Sequence, residues 1–308
     1  MRYGIPYRGS KSRIAKWVIS QLPPADTLVD LFAGGCAITH AALLSGKYNH
    51  VIANDLTQGP NVFRDAINGE FDDMQGGITR DEFLSSDDDA IKLLYSFGNN
   101  RNDYLWSPEM ESVKAPAERM LSAPSMHERR IAYKAFLRAL KKYVDNNGTK
   151  KLAKSNGIGE LQGLERLERL QGLEGLQGLE RLERLQGLEG LQGLEISNLD
   201  YRIVDVPEDA VVYADPPYRN TRHEAYADFS STEFDEWLSV VPFPVYVSEF
   251  TCPDGCVEIA SKGREATMAA KTSTTVTERL FIQQRFVNDR FMPAEQASIF
   301  DAIGGDAS

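Results

Sequence analysis

Short apolar runs that stop abruptly at glycine or aspartate place the strongest constraint on how this 308-residue chain can fold. Residues 27–32 form one such run and lead into Ala33-Gly34-Gly35, residues 51–55 form a second, and residues 210–214 form a third that stops at Asp215. Runs of this length are typical of buried strands that end in a tight turn. Because helical patterns lie between them, both ends of the chain predict an α/β sheet.

Segments near the C-terminal end extend the same pattern. Residues 230–240 predict a helix, with Thr232 and Asp235 at roughly the spacing of a capping box. Residues 245–248 predict a strand, and residues 274–286 predict a closing strand or a hairpin.

A long basic stretch without strand patterns separates the second predicted strand from the third. Within it, residues 128–144 carry apolar side chains at helical spacing with cations between them, and Asn146-Asn147-Gly148 predicts the end of this helix. Positions 114 to 154 hold eleven Lys and Arg residues against three Asp and Glu residues. A sheet interrupted in this way predicts a helical insertion that recognises a substrate.

The charge distribution leaves room for a polyanionic partner although the net charge is −11. Phosphate contacts need cations, so the sum alone argues mildly against nucleic acid. The first 24 residues, however, contain five cations and no acid, and the insertion is basic as well. These locally basic segments therefore offset the argument from the net charge.

Cysteine and histidine usage limits the compartment and the metal chemistry. The three cysteines, Cys36, Cys252 and Cys256, are too few and odd in number for a disulfide framework, which predicts a reducing, cytoplasmic location. The four histidines are scattered, and we expect no metal site. No run of eighteen apolar residues occurs, so we expect no membrane span.

Residues 161–195 form a repeat with leucine at every third position. A period of three fits neither an α-helix nor a strand, and a 3₁₀ helix rarely extends beyond a few residues. The repeat is expected to be a tandem duplication tolerated as an appendage. The alternative is a spacer or an oligomerisation arm.

Asp215-Pro216-Pro217-Tyr218, directly after a predicted strand, is the strongest functional motif. An exocyclic amine of a nucleobase is a poor nucleophile because its lone pair is delocalised into the ring. A carboxylate and a backbone carbonyl can accept its two hydrogens. The proline pair keeps that carbonyl out of a regular hydrogen-bond ladder of the sheet. The ring of Tyr218 could then stack on a base taken out of the duplex.

Three further motifs are typical of a nucleotide-like ligand at the strand ends. The Gly34-Gly35 turn would let backbone amides approach the ligand closely. Asp55, at the tip of the second strand, could accept hydrogen bonds from ribose hydroxyls. Near the N-terminus, the loop of residues 7–11 precedes an amphipathic helix and could fold over one end of the ligand.

In this order, the four motifs resemble the N6-adenine DNA methyltransferases. Two later segments, Ser248-Glu249-Phe250 and Glu278-Arg279-Leu280-Phe281, resemble the late strands of the phage-type branch of that family. The resemblance covers about residues 3–66 and 196–286. It implies a Rossmann-like, seven-stranded methyltransferase sheet with an inserted helical target-recognition region. It also implies S-adenosylmethionine as the cofactor and site-specific methyl transfer to N6 of a flipped adenine in double-stranded DNA.

The resemblance assigns roles residue by residue. Expected contacts to the cofactor are Tyr7, Lys11, Asp30, Phe32, Gly34, Gly35, Asp55, Asp200 and Tyr201. The expected catalytic residues, which hold the target base, are Asp215, Pro216, Pro217 and Tyr218. Two departures from the family are a Gly-Gly-Cys turn in place of a third glycine and the lack of a Trp-Ala-Gly-Gly segment before the lysine loop.

The expected organisation follows from these assignments. The catalytic domain is discontinuous, and the other segments are a basic helical target-recognition insertion, the repeat and a tail. The respective boundaries are residues 1–85 with 196–290, 86–160, 161–195 and 291–308. The chain is expected to act as a monomer on DNA, and its recognition sequence and any paired restriction nuclease stay open.

Other methylation targets and a non-catalytic role remain open as alternatives. Cytosine N4 is an amine of the same kind, but that chemistry more often goes with serine in place of Asp215. RNA and protein glutamine are further conceivable targets of similar sites. A protein that binds DNA without catalysis is the alternative of another class, and binding of S-adenosylmethionine would distinguish it.

Overall fold

A mixed seven-stranded sheet organises the part of the chain that the computed structural model describes. The described residues are 3–68, 70, 78–106, 108–123, 125–156, 193–219, 229–267 and 273–287. The chain divides into two units. The sheet unit comprises Met1–Gly4, Ser10–Asn61 and Gly190–Ser308, and the helical unit comprises Ile5–Gly9 and Val62–Glu189.

The strands are β1 Thr27–Asp30, β2 His50–Asn54, β3 Leu194–Ser197, β4 Val211–Ala214, β5 Val245–Glu249, β6 Cys256–Thr267 and β7 Ser273–Gln283. They hydrogen-bond in the order β3-β2-β1-β4-β5-β7-β6. The first five strands of this order run parallel, whereas β7 pairs antiparallel with both β5 and β6. The structure thereby confirms the predicted α/β class and the seven-stranded sheet.

The described residues also contain eight α-helices. They are α1 Ala15–Gln21, α2 Ala37–Leu43, α3 Gly59–Ile67, α4 Arg80–Ser85, α5 Asp89–Leu94, α6 Pro108–Ser122, α7 Met126–Asn156 and α8 Ser231–Val240. None of these helices is long and apolar enough to cross a membrane.

Helices cover both faces of the sheet, which explains why the central strands are continuous apolar runs. Leu28 packs on one face with side chains of α1 and α2, such as Val18 and Ile38. The next residue along β1, Val29, packs on the other face with Phe234 of α8. Successive strand side chains point to opposite faces, so every position of β1 and β4 is buried.

Some local predictions for the sheet unit were wrong. The cap of α8 is Ser230, whose hydroxyl accepts a hydrogen bond from the backbone of Glu233, so Thr232 and Asp235 lie inside the helix. The long strand β6 was not predicted, because its mixed polar sequence gives no clean alternation. Strand β3 begins at Leu194, so the last two residues assigned to the repeat belong to the sheet.

The helical unit has its own buried aromatic side chains. Phe83 of α4 and Tyr104 contact each other with ring centroids 5.4 Å apart, and Trp106 is fully buried. Thr79 and Glu82 form a capping box at the start of α4. Helices α6 and α7 pack against each other.

Helix α7 differs from its predicted form in two ways. It continues through Asn156 instead of ending at residues 146–148, since the cost of one glycine in a long helix, about 1 kcal/mol, is small. Its apolar stripe is only partly buried, because Phe136 is enclosed whereas Ile131 and Leu137 are exposed. Its exposed cations include Arg129, Arg130, Lys134, Arg138, Lys141 and Lys142.

The leucine repeat lies almost entirely outside the described residues, as does the tail from residue 291. The predictions for their conformation and role therefore stay predictions.

Candidate active site

Acidic side chains gather at one edge of the sheet because the carboxyl ends of the parallel strands meet there. Asp30 ends β1, Asp55 follows β2, Asp215 follows β4 and Glu249 ends β5. Strand β7 runs the opposite way and pairs its Arg279 with Glu249, so Glu278 comes to the same edge. The site lies at the ends of the adjacent strands β1 and β4. The strand order reverses there, because β2 and β3 lie on one side of β1 whereas β4 and β5 lie on the other, and α/β sheets bind ligands at such a switch point.

Asp55 holds the glycine turn in place. Its Oδ2 accepts a hydrogen bond of 2.7 Å from the backbone of Gly34, and its Oδ1 accepts from both the backbone and the hydroxyl of Thr57. Gly34 has φ +50° and Cys36 has φ +57°, which is uncommon for a residue with a side chain. Each Asp55 oxygen thus already has a protein partner, and its role toward a ribose stays a prediction.

Asp30 is a buried carboxyl group with one oxygen that lacks a hydrogen-bond partner among the described residues. Its Oδ2 accepts hydrogen bonds from the backbone (3.1 Å) and the hydroxyl (2.8 Å) of Thr39 in α2. Its Oδ1 has no hydrogen-bond partner among the described residues. Burial, assisted by the negative charges of Asp215 and Asp55, raises the pKa of Asp30 to about 7. The group is therefore poised to ionise near neutral pH.

Asp215 forms an ion pair with the lysine of the N-terminal loop. The Nζ atom of Lys11 lies 2.8 Å from Asp215 Oδ1, and both side chains are largely buried. The same ammonium lies 4.4 Å from the ring centroid of Tyr218. Burial raises the pKa of Asp215 above its ordinary value, and the charge of Lys11 opposes this rise.

The ring of Tyr218 is held in place by side chains from the neighbouring strands. Its hydroxyl donates to Glu278 Oε2 at 3.1 Å and lies 3.2 Å from Ser248 Oγ. Phe250 meets the ring edge to face, with the centroids 4.4 Å apart. Burial raises the pKa of Tyr218 far above its usual range, so the phenol stays protonated.

The remaining predicted residues differ in their surroundings. Phe32 and Tyr201 pack together with ring centroids 5.3 Å apart. Asp200 is engaged by Arg202, whose hydrogen bonds hold the pKa of that carboxyl below its usual range. Pro216 is buried directly after Asp215. Tyr7 belongs to the helical unit, and its place relative to the sheet edge stays a prediction.

A comparison with protein families identifies the chain. Residues 7–156 match the family model described as D12 class N6 adenine-specific DNA methyltransferase. This match supports an N6-adenine DNA methyltransferase. Comparison with curated proteins finds no match.

The family defines the reaction and its substrate. The protein is an adenine-specific DNA methyltransferase, and the family implies DNA as the substrate and S-adenosylmethionine as the methyl donor. The match ends before Asp215-Pro216-Pro217-Tyr218. The sheet topology brings that segment to the same edge that carries Asp30.

The structure adds residues to this edge of the methyltransferase that were not predicted as site residues. Ser248, Glu249 and Glu278 lie on β5 and β7, and Glu249 accepts hydrogen bonds from the backbones of Arg219 and Phe250. Burial raises the pKa of Glu249. An acid within an apolar strand was the available signal, since such residues are seldom buried without a partner.

The segment after Tyr218 is fixed by a second ion pair. The guanidinium of Arg219 donates to both carboxylate oxygens of Asp235 in α8, one of them at 2.6 Å. Its backbone N–H donates to Glu249 Oε2 at 3.3 Å. These contacts connect the end of the Asp-Pro-Pro-Tyr segment to α8 and β5.

Proposed function

We propose that this methyltransferase binds S-adenosylmethionine at the end of β1 and holds a flipped adenine of double-stranded DNA against residues 215–218. The observation that carries the proposal is the largely buried Asp215 carboxylate beside the Tyr218 ring, at the edge where β4 lies next to β1. Asp215 and Tyr218 offer an acceptor for the amino group and an aromatic ring for the base.

The surroundings of Asp30 fit a cationic cofactor. S-adenosylmethionine, when bound, supplies a methyl group on a positively charged sulfonium and also carries an ammonium group. Asp30 has a buried oxygen without a hydrogen-bond partner among the described residues, and two further carboxylates lie nearby, so a positive charge would relieve their repulsion. The Gly34 turn would provide room for the cofactor, and Phe32, Gly35, Asp200 and Tyr201 stay proposed contacts.

Binding of the cofactor should release a proton from Asp30. In the free protein this group, with a pKa of about 7, is half protonated at neutral pH, and a nearby cation would lower its pKa. Calorimetric titration near pH 7 in buffers of different ionisation enthalpy should show a release of roughly half a proton per cofactor. Asp30→Asn should abolish the release, and exposed Asp205→Asn should not. Binding without proton release at any pH between about 6 and 8 would rule out this role.

The chemistry at the base needs acceptors rather than a strong base. The amino group loses its proton only after it has attacked the methyl group, so positioning of its two hydrogens is the main task. We assign one hydrogen to the Asp215 carboxylate and the other to a backbone carbonyl of the Asp-Pro-Pro segment. Prolines have no N–H, which keeps this segment out of a regular ladder.

Tyr218 should matter for capture of the base more than for the cofactor. Tyr218→Ala removes the ring and should weaken productive DNA binding about tenfold to a hundredfold, because stacking contributes about 1–3 kcal/mol per base. Tyr218→Phe retains the ring while removing the hydroxyl that contacts Ser248 and Glu278, so a smaller effect is expected. The measurement is KM for duplex DNA alongside the cofactor Kd. An unchanged KM of Tyr218→Ala for duplex DNA would count against stacking.

We assign target recognition to the basic insertion of residues 86–160. Helix α7 exposes at least six cations, which suits contacts with phosphates, although base reading depends on a few side chains that the sequence does not single out. The discontinuous catalytic domain, the repeat as an appendage and a monomeric state complete the proposed organisation. The few cysteines favour the cytoplasm.

Nucleoside analysis tests the proposed target directly. DNA from cells that express the protein is digested and examined by mass spectrometry, with DNA from cells that lack it as the control. The expected product is N6-methyladenine. Finding N4-methylcytosine alone would overturn the assignment, and cofactor-independent DNA binding without any product would favour a non-catalytic role.

A further inference from the structure

Lys11 contacts the two groups that we assign to the target base. Its Nζ atom lies 2.8 Å from Asp215 Oδ1 and 4.4 Å from the centroid of the Tyr218 ring. The side chain is 9% exposed and that of Asp215 is 17% exposed, so solvent screens their attraction weakly. By resemblance alone, Lys11 was expected to contact the cofactor.

The charges around Asp215 are otherwise negative. Asp30 ends β1, Glu249 ends β5 and Glu278 lies on β7, and each interacts electrostatically with Asp215. Two phenols, Tyr213 on β4 and Tyr218, are also close by. These two phenols are neutral in their usual state.

Within the described part of the chain, Lys11 is the cation that forms an ion pair with Asp215. The nearby Arg219 guanidinium pairs instead with Asp235. Without the lysine, burial and three carboxylic acids would all favour a protonated Asp215.

We propose that Lys11 is a positioning residue on the target side of the site, which keeps the Asp215 carboxylate ionised and oriented toward the amino group of the base. This inference rests on the proposed role of Asp215. It gives the lysine loop a task in the chemistry of the base as well as near the cofactor.

The pairing leaves Asp215 able to accept from the substrate. An ionised carboxylate has two oxygens and about four acceptor positions, so the ion pair with Lys11 at Oδ1 does not exhaust them. A protonated carboxyl group would instead present an O–H donor at one oxygen, which meets the N–H donors of the amino group unfavourably. The charge state of Asp215 thus decides whether it can hold the base.

The test compares kcat as a function of pH for the wild type, Lys11→Met, Lys11→Arg and Lys262→Met, at saturating DNA and cofactor. Removing the cation should raise the pKa of Asp215. The acid limb of the Lys11→Met profile, where the rate falls at low pH, should therefore shift to higher pH by about one pH unit or more. At pH values below the wild-type limb its rate should fall about tenfold, and it should recover at higher pH. Lys11→Arg should restore the limb, and exposed Lys262 on β6 serves as the matched control with an unchanged profile.

Several outcomes would overturn the inference. If Lys11→Met weakens cofactor binding but leaves the acid limb at its wild-type position, the lysine acts on the cofactor alone. A limb that Lys11→Arg fails to restore would also contradict an electrostatic role. If Lys11→Met does not fold, as judged by circular dichroism, Lys11→Gln replaces it, and an unmoved limb again refutes the inference. Failure of the proposed function is distinct, since the wild type itself would then make no N6-methyladenine.

Discussion

Asp215→Ala is expected to lower kcat for methyl transfer about a thousandfold or more while cofactor binding persists. The substitution removes the carboxylate that would accept an amino hydrogen, whereas Asp30 and the Gly34 turn, to which we assign the cofactor, lie on β1 and its following loop. Transfer of a labelled methyl group to DNA measures the rate, and calorimetry measures the cofactor Kd.

Two further variants make the test of Asp215 specific. Asp215→Asn retains the size of the side chain and one acceptor oxygen, so it should retain more activity than alanine. Asp205→Ala removes an exposed aspartate of the loop before β4 and should leave the rate unchanged. A near-native rate for folded Asp215→Ala would refute the assigned role.

Gly4→Ala is expected to cost at least about 3 kcal/mol in free energy of unfolding or to prevent folding. Gly4 has φ +68°, and a Cβ atom there would lie 2.2 Å from the carbonyl oxygen of Gly35 and 2.7 Å from the backbone nitrogen of Ala37. Both atoms belong to backbone at the glycine turn and the start of α2, so neither can move without the loop. The Gly4 N–H also donates to buried His40.

Gly46→Ala is the matched control for this prediction. Gly46 has the same φ of +68°, but a Cβ atom there would meet nothing within 4 Å. Its cost should therefore be the backbone strain alone, about 1 kcal/mol. Urea unfolding of both variants measures the difference, and equal losses would show that the close approach to Gly35 does not matter.

The central strands were predictable because the sequence repeats one physical signal. Parallel strands covered on both faces are continuous apolar runs, and each stops where the chain turns at Gly34, Asp55 or Asp215. The edge strand β6 carries no such signal, since polar residues are tolerated there. The predicted end of α7 was wrong because residues that favour the end of a helix, here 146–148, can be overridden within a long, cooperative helix.

The site was predictable only as separate motifs. Asp30, Gly34 and Asp215 could be named because each sits at a strand end, and parallel strands bring their ends together. The pairing of Lys11 with Asp215 joins positions far apart in the chain, and no periodicity reports such a contact. The same holds for the Tyr218 hydroxyl and Glu278. The hydrogen bonds that the buried Asp55 accepts from Gly34 and Thr57 are likewise not reported by the sequence.

A structure of the enzyme with duplex DNA and an unreactive cofactor analogue tests the central claim most directly. The account predicts an adenine out of the helix, with N6 within hydrogen-bonding distance of an Asp215 oxygen, about 3 Å, and its ring against Tyr218. A carboxylate turned away from the base, or an adenine bound elsewhere, would contradict it.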